Sequence, residues 1–132
     1  MLYAGRIIPP PVIVELAEKR RLPTAVLKKH EADLILSALP ASVPLVALDE
    51  RGSTWSSRAL SDRIAGWRDQ GWPELAFAVG GAEGLDTAVL DRAHAIMSFG
   101  PMTWPHLLVR GMLLEQLYRA QQILAGHPYH RD

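Results

Sequence analysis

The chain of 132 residues is long enough for one globular domain, and its 48% hydrophobic and 21% charged residues are ordinary for that class. The absence of cysteine excludes a disulfide scaffold, a thiolate nucleophile and a cysteine-ligated metal. No apolar run reaches the roughly 18 residues of a membrane span, and a formal net charge of zero argues against a protein that coats nucleic acid. We therefore expect a single cytoplasmic domain over residues 1–132.

The chain opens on a segment that three consecutive prolines interrupt at residues 9–11. Proline cannot continue a helix, so an extended stretch is predicted there. The β-branched run over residues 12–16 is typical of a strand. A basic cluster follows at residues 19–21 and at Lys28 and Lys29. It is interpreted first as a solvated face, and second as a local patch that binds RNA.

Helices and strands are predicted to alternate along the rest of the chain. In order, they are a helix capped by Thr24 and ending at Pro40, a strand over 45–48, a helix from Ser56 or Ser57 that stops at Gly71 and Pro73, a strand over 75–79, a helix from Asp86 to Ala93, a strand over 95–98, and a helix over 106–125 followed by Gly126. Residues 45–48 are apolar on both faces, as in a central parallel strand covered by helices, and residues 49–52 are predicted to turn. This order predicts an α/β fold with a mostly parallel sheet and helices on both faces.

A glycine-rich loop, Gly-Gly-Ala-Glu-Gly at residues 80–84, follows the strand over 75–79. It matches neither the dinucleotide-binding pattern nor the P-loop, so it does not indicate a cofactor that carries phosphate. One interpretation is that this loop binds a cofactor whose edge is recognised by hydrogen bonds to backbone groups. A tight strand-to-helix turn without any ligand is the other.

Four blocks occur in one order: Gly-Gly-x-Glu-Gly, Met-Thr-Trp-Pro-His-x-Leu-Val-Arg, Glu-x-Leu-Tyr-Arg-Ala and a terminal His-Pro-Tyr-His-Arg-Asp. From about residue 45 to the end, the chain closely resembles the RlmH family. These are SPOUT-class methyltransferases that use S-adenosylmethionine to methylate N3 of a pseudouridine in 23S ribosomal RNA of the large subunit. The resemblance implies a C-terminal deep trefoil knot, and it implies that this chain is short by about one N-terminal βα unit.

The resemblance also implies which residues bind the cofactor, S-adenosylmethionine. They lie in three places along the chain: Leu48, Gly81, and the loop of Gly100, Pro101, Met102, Thr103, Trp104 and Pro105. The family carries leucine at the position of Trp104, so the side chain is larger here but remains apolar. Without the resemblance, Met102 and Trp104 would be typical of a core. No metal is implied, and the histidines show no helical ligand pair.

The expected catalytic residues are His130, Tyr129 and Arg119. A polar, aromatic and basic terminus can stack on a base and pair with phosphate, and His130 is one candidate for removing the N3 proton. The alternative for the terminus is a frayed end. The alternative for Arg119 is an i,i+4 ion pair with Glu115 along one helix.

The helix over 106–125 is apolar over most of its circumference, which normally means burial on more than one side. In a chain of this size we expect part of that surface to meet a second copy, and the family resemblance likewise implies a homodimer. The expected partner is ribosomal RNA, in the large subunit or the assembled ribosome, and no membrane. Two other interpretations are a SPOUT-like protein that binds RNA without catalysis and an α/β enzyme that binds a nucleotide.

Overall fold

The computed structural model describes residues 23–72, 74–80 and 84–131. The interpretations of residues 9–16, of the basic residues 19–21, of Pro73 and of Gly81 lie outside these ranges. The described elements are α1 (Thr24–Ala38), β1 (Leu45–Thr54), α2 (Ser57–Asp69), β2 (Ala76–Val79), α3 (Thr87–Arg92), β3 (Ala95–Ser98) and α4 (His106–Leu124). None of the described helices combines the length and the apolar composition needed to cross a membrane.

The chain divides into two compact units, each built from separate segments. The sheet unit contains the described residues up to 54 and residues 74–106. The helical unit contains residues 55–72 and the described residues from 107 onward. The expected alternation of helices and strands is confirmed in this order of elements.

The sheet unit is built on three parallel strands in the order β2-β1-β3. Leu45 to Leu48 of β1 are all buried, and Leu48 pairs with Val79 of β2. The predicted central parallel strand is therefore confirmed. One buried cluster joins α1, β1, β2 and α3 through Ala32, Leu45, Ala47, Ala78, Leu85 and Val89.

The strand β1 does not end at Leu48, because the predicted turn over residues 49–52 lies inside the strand as an irregularity in its register with β3. After a register shift, β1 pairs with β3 again, with Ser53 opposite Met97 and Thr54 opposite Ser98. The close approach requires glycine at position 52, because a Cβ there would lie 2.5 Å from the carbonyl oxygen of Ile96. The charged residues and glycine that suggest a turn are thus part of an irregular strand.

Helix α1 begins one residue earlier than its predicted cap implies. Pro23 occupies the N-cap position without a side-chain hydrogen bond, and its carbonyl oxygen accepts from the amide of Leu27 at 2.8 Å. Thr24 is the first helical residue, so its prediction as the N-cap is wrong. The helix ends at Ala38, before Pro40, as predicted.

Short-range signals set the ends of the other helices. The side chains of Ser56 and Asp86 accept from the amides of the residues three and two positions on, at 3.0 Å in both cases, which confirms both predicted N-caps. Gly71 follows α2 with φ +84°, and Gly126 follows α4 with φ +74°. These left-handed conformations favour glycine at the C-terminus of a helix.

Candidate functional site

The first candidate region lies at the carboxyl end of the parallel strands in the sheet unit. Leu48 ends the part of β1 that pairs with β2, so Asp49 and Gly80 follow neighbouring strands at the same edge. Ligands of open parallel sheets bind outside the carboxyl ends of the strands. The side chain of Leu48 is buried. The groups that this edge presents are therefore the backbone groups of Leu48 and of its neighbours.

Asp49 and Arg51 form a closely bonded pair at this edge. Arg51 donates from Nε to Oδ1 of Asp49 at 2.7 Å and from Nη2 to Oδ2 at 3.0 Å. The Asp49 side chain is 4% exposed and the Arg51 side chain is 48% exposed. Arg51 holds the pKa of the Asp49 carboxyl below its ordinary value of 3.8 through this hydrogen bond, with help from the Arg51 and Leu85 amides and against the effect of burial. Asp49 is therefore an anion in the folded protein at neutral pH.

The same pair contacts the end of the glycine-rich loop. Oδ2 of Asp49 accepts from the amide of Leu85 at 3.4 Å, and Nη2 of Arg51 donates to the carbonyl oxygen of Leu85 at 2.7 Å. The two ends of the loop also touch, because a Cβ on Gly80 would lie 2.7 Å from the carbonyl carbon of Gly84. Both backbone groups of Leu85 are thus held from β1.

The segment from Ser98 to Pro105 follows β3. The hydroxyl of Ser98 accepts from the amide of Gly100 at 3.0 Å and donates to its carbonyl oxygen at 3.2 Å, and Gly100 has φ +103°. Beyond this turn all residues up to Pro105 are exposed, including Met102 at 69% and Trp104 at 38%. The two large side chains are therefore not core residues, and they leave an apolar surface open to a ligand or partner.

The second candidate region lies in the helical unit, where the C-terminal tail (residues 127–131) packs on α4. Arg119 donates to Oε1 of Glu115 from Nε at 3.0 Å and from Nη2 at 2.6 Å. The i,i+4 ion pair that was the alternative for Arg119 is therefore present. The tail packs on this ion pair.

Tyr129 contacts the ion pair of Glu115 and Arg119 through both its hydroxyl and its ring. Its hydroxyl donates to Oε1 of Glu115 at 3.1 Å. Its ring meets Tyr118 edge to face at a centroid distance of 4.8 Å, and the guanidinium of Arg119 lies 4.8 Å from its centroid. Such contacts stabilise aromatic side chains beyond their burial alone. The described part of the tail is consequently a packed segment and not a frayed end.

His130 completes the cluster through Arg119. Nη1 of Arg119 lies 3.1 Å from Nδ1 of His130. A guanidinium only donates, so Nδ1 accepts in this contact. Arg119 thereby holds the His130 ring in place beside α4. The cluster of Glu115, Arg119, Tyr129 and His130 is called the tail cluster below.

The tail cluster is linked to the start of α2. Nε2 of Gln116 donates to Oε2 of Glu115 at 3.1 Å, and the hydroxyl of Ser57 donates to Oε1 of Gln116 at 2.6 Å. Both carboxylate oxygens of Glu115 are therefore engaged. Glu115 therefore supports the cluster through hydrogen bonds at both of its oxygens.

The structure brings together the three expected catalytic residues, Arg119, Tyr129 and His130. It also adds residues that the sequence did not single out as functional, Asp49 and Arg51. The signal for these two is an acidic and a basic residue two positions apart directly after a buried strand. Among the described residues, no group of three His, Cys, Asp or Glu side chains is arranged to hold a metal ion.

Comparison with known proteins identifies the family. The family model described as "Predicted SPOUT methyltransferase" matches residues 5–130. A protein from Rhodospirillum centenum named "Ribosomal RNA large subunit methyltransferase H" is 54% identical over 129 residues, covering 98% of this chain and 85% of the relative. Proteins of that name from Paramagnetospirillum magneticum and Rhodospirillum rubrum are 51% and 47% identical, over 98% of this chain and 85% and 86% of the relatives. These matches confirm the RlmH resemblance, and the chain belongs to the SPOUT methyltransferase family.

Proposed function

We propose that the chain is a methyltransferase that uses S-adenosylmethionine to methylate N3 of a pseudouridine in 23S ribosomal RNA. It acts as one SPOUT domain with a C-terminal trefoil knot, on the large subunit or the assembled ribosome. The observation that carries this proposal is the match of nearly the whole chain to relatives named as large-subunit ribosomal RNA methyltransferases. The packed tail supports it, because the chemistry proposed for the terminus needs side chains in a fixed position.

The residues proposed to hold S-adenosylmethionine fit that molecule. The cofactor needs an apolar slot for adenine and backbone groups that read its edge. Leu48 lies at the carboxyl edge of the sheet, and the loop over 100–105 carries the exposed side chains of Met102 and Trp104. Gly81, in the loop that Gly80 and Gly84 close, is the third proposed contact. When bound, the cofactor supplies an activated methyl group on a sulfonium, so no metal is needed.

The tail cluster is proposed to hold the target base. An imide nitrogen attacks carbon in line, and the main task of the protein is to keep the reacting atoms roughly 3–3.5 Å apart. Because Arg119 holds His130 through Nδ1, the imidazole ring has a fixed position from which to contact the base. We therefore assign His130 to orienting the base, and Tyr129 and Arg119 to holding His130 and the RNA in place.

A homodimer is part of the proposal. Leu107 at the start of α4 is 59% exposed and Leu108 is 49% exposed, close in the chain to the exposed Met102 and Trp104. Exposed apolar side chains in series mark sites of protein association. A second copy of the chain is the proposed partner for this stretch.

The direct test is methyl transfer from radiolabelled S-adenosylmethionine to ribosomes that lack this modification. The proposal predicts label in the RNA of the large subunit that is retained after protein removal. A folded chain that does not bind S-adenosylmethionine and leaves the RNA unlabelled would support the SPOUT-like protein that binds RNA without catalysis. Binding of a phosphate-bearing nucleotide, with no binding of S-adenosylmethionine, would support the unrelated nucleotide enzyme.

A further inference from the structure

The glycine-rich loop is held at its exit by a side-chain pair on another strand. Leu85 donates its amide hydrogen to Asp49 and accepts from Arg51 at its carbonyl oxygen. Asp86 then caps α3 by accepting from the amide of Ala88. Two successive residues at the end of the loop, Leu85 and Asp86, thus take part in bonds between a side chain and the backbone.

The loop entrance is fixed by contact with its exit. Gly80 has no room for a Cβ, since the nearest atoms would be the Gly84 carbonyl carbon at 2.7 Å and the Leu85 amide nitrogen at 3.0 Å. Gly84 itself lies beside the carboxylate of Asp49, with 3.6 Å between a built Cβ and Oδ2. Gly80 and Gly84, the described residues on either side of the loop, therefore lie against each other, and Asp49 and Arg51 hold Leu85 directly after Gly84.

We infer that Asp49 and Arg51 are positioning residues for the cofactor, because they hold the base of the loop that carries Gly81. The inference rests on the proposed function, in which Gly81 contacts S-adenosylmethionine. The bonds of Arg51 are of the strong, charge-assisted kind and connect two partners, the Asp49 carboxylate and the Leu85 carbonyl oxygen. Lysine offers a single ammonium and cannot make the same set of bonds.

The chain contains a matched control in the same unit. Nη2 of Arg92 donates to the carbonyl oxygens of Pro40, Ala41 and Val43 at 3.2, 3.4 and 2.6 Å. Arg92 thus holds the loop before β1, at the amino end of that strand. It anchors a loop as Arg51 does, but at the opposite edge of the sheet from the proposed cofactor contacts.

The test is calorimetric titration of S-adenosylmethionine into the full chain and its Arg51→Lys, Asp49→Asn and Arg92→Lys variants. We expect the dissociation constant to rise on the order of tenfold for the first two and to stay within about twofold for Arg92→Lys. In methyl transfer, the KM for S-adenosylmethionine rises for Arg51→Lys while kcat at saturating cofactor is retained. Equal losses in Arg92→Lys, or wild-type affinity in both Asp49→Asn and Arg51→Lys, would overturn the inference.

A second measurement reports on the loop without any ligand. Hydrogen exchange at the amides of Gly84 and Leu85 should be faster in Arg51→Lys than in the wild type, and unchanged in Arg92→Lys. Unchanged exchange in Arg51→Lys would contradict the positioning role even if the cofactor bound less tightly. A wild-type chain that fails to bind S-adenosylmethionine would instead overturn the proposed function, and the inference with it.

Discussion

Nη1 of Arg119 lies 3.1 Å from Nδ1 of His130, so a residue of α4 fixes the position of a residue in the tail. The same guanidinium is bonded to Glu115 and lies over the ring of Tyr129. One arginine therefore connects every member of the tail cluster. Its substitution is the sharpest test of what the cluster does.

Arg119→Lys should lower methyl transfer without affecting the cofactor. Lysine cannot reach Glu115 and His130 together in the fork geometry of a guanidinium. We expect kcat/KM for ribosomes to fall on the order of 10- to 100-fold, which corresponds to about 1.4–2.7 kcal/mol of transition-state stabilisation. The dissociation constant of S-adenosylmethionine should stay at the wild-type value.

The matched control is Arg68→Lys, because Arg68 is an exposed arginine of α2 in the same unit. That variant should keep wild-type activity. Equal activity of Arg119→Lys and Arg68→Lys would show that the tail cluster has no part in methyl transfer.

Tyr129→Phe and Tyr129→Ala should separate the hydrogen bond of the tail from its ring contacts. Tyr129→Phe loses the bond to Glu115 and keeps the ring, which costs about 0.5–1.5 kcal/mol of unfolding free energy. Tyr129→Ala also loses the contacts with Tyr118 and Arg119, and it should cost about 1–2 kcal/mol more. Urea unfolding at one fixed protein concentration measures both. Wild-type stability of Tyr129→Ala would mean that the tail does not pack on α4 in solution.

Gly52→Ala and Gly66→Ala should have opposite effects on stability. A Cβ at position 52 meets the backbone of Ile96 at 2.5 Å, so the strands must separate at a cost of about 1–3 kcal/mol. Gly66 lies inside α2, and a Cβ there meets nothing within 4 Å. Alanine at that position should stabilise by about 0.5–1 kcal/mol. Thermal unfolding of the two variants gives the comparison, and a stable Gly52→Ala protein would contradict the close pairing of β1 with β3.

Asp49→Asn should change how stability depends on pH. The pKa of Asp49 is lowered in the folded protein relative to its ordinary value of 3.8. The carboxylate therefore stabilises the fold fully above that value, and this contribution is lost as the pH falls through the lowered folded pKa. The gap in unfolding free energy between wild type and variant should narrow as the pH falls below about 3.8. A gap that is the same at neutral and acid pH would mean that Arg51 does not hold the carboxylate.

Leu107→Lys combined with Leu108→Lys should convert a dimer into a monomer. Both side chains are largely exposed in the single chain, so lysine at these positions should change the stability of one chain little. In a dimer, the same lysines would place charges inside an apolar interface, which is unfavourable. Sedimentation at micromolar concentration should give twice the mass of one chain for the wild type and the mass of one chain for the variant. A monomeric wild type would refute the proposed homodimer.

Local signals in the sequence are sufficient to predict much of the fold. The apolar run from Leu45 to Leu48 indicates the central strand, and Ser56, Asp86 and Gly126 mark helix ends, because each acts within a few residues. The extension of β1 to Thr54 could not be predicted in this way. It depends on contact between Gly52 and Ile96, which belong to different strands.

The candidate sites show the same division. Arg119 and Glu115 are four residues apart, so helical spacing alone predicts their pairing. The bond between Asp49 and Leu85 spans 36 residues, and the attachment of Tyr129 to Glu115 spans 14. Such contacts depend on the fold and have no local pattern. The expected roles of Tyr129 and His130 came instead from the chemistry of a polar, aromatic and basic terminus, which can stack on a base and pair with phosphate.

We propose that this chain transfers a methyl group to N3 of a pseudouridine in 23S ribosomal RNA. The most direct measurement is mass spectrometry of nucleosides from large subunits that were incubated with the purified chain and S-adenosylmethionine. We predict one new product, a pseudouridine that carries its added methyl group on N3, and slower formation of this product with Arg119→Lys under limiting enzyme. A methyl group on another nucleoside, or none with a folded protein that binds the cofactor, would contradict the claim.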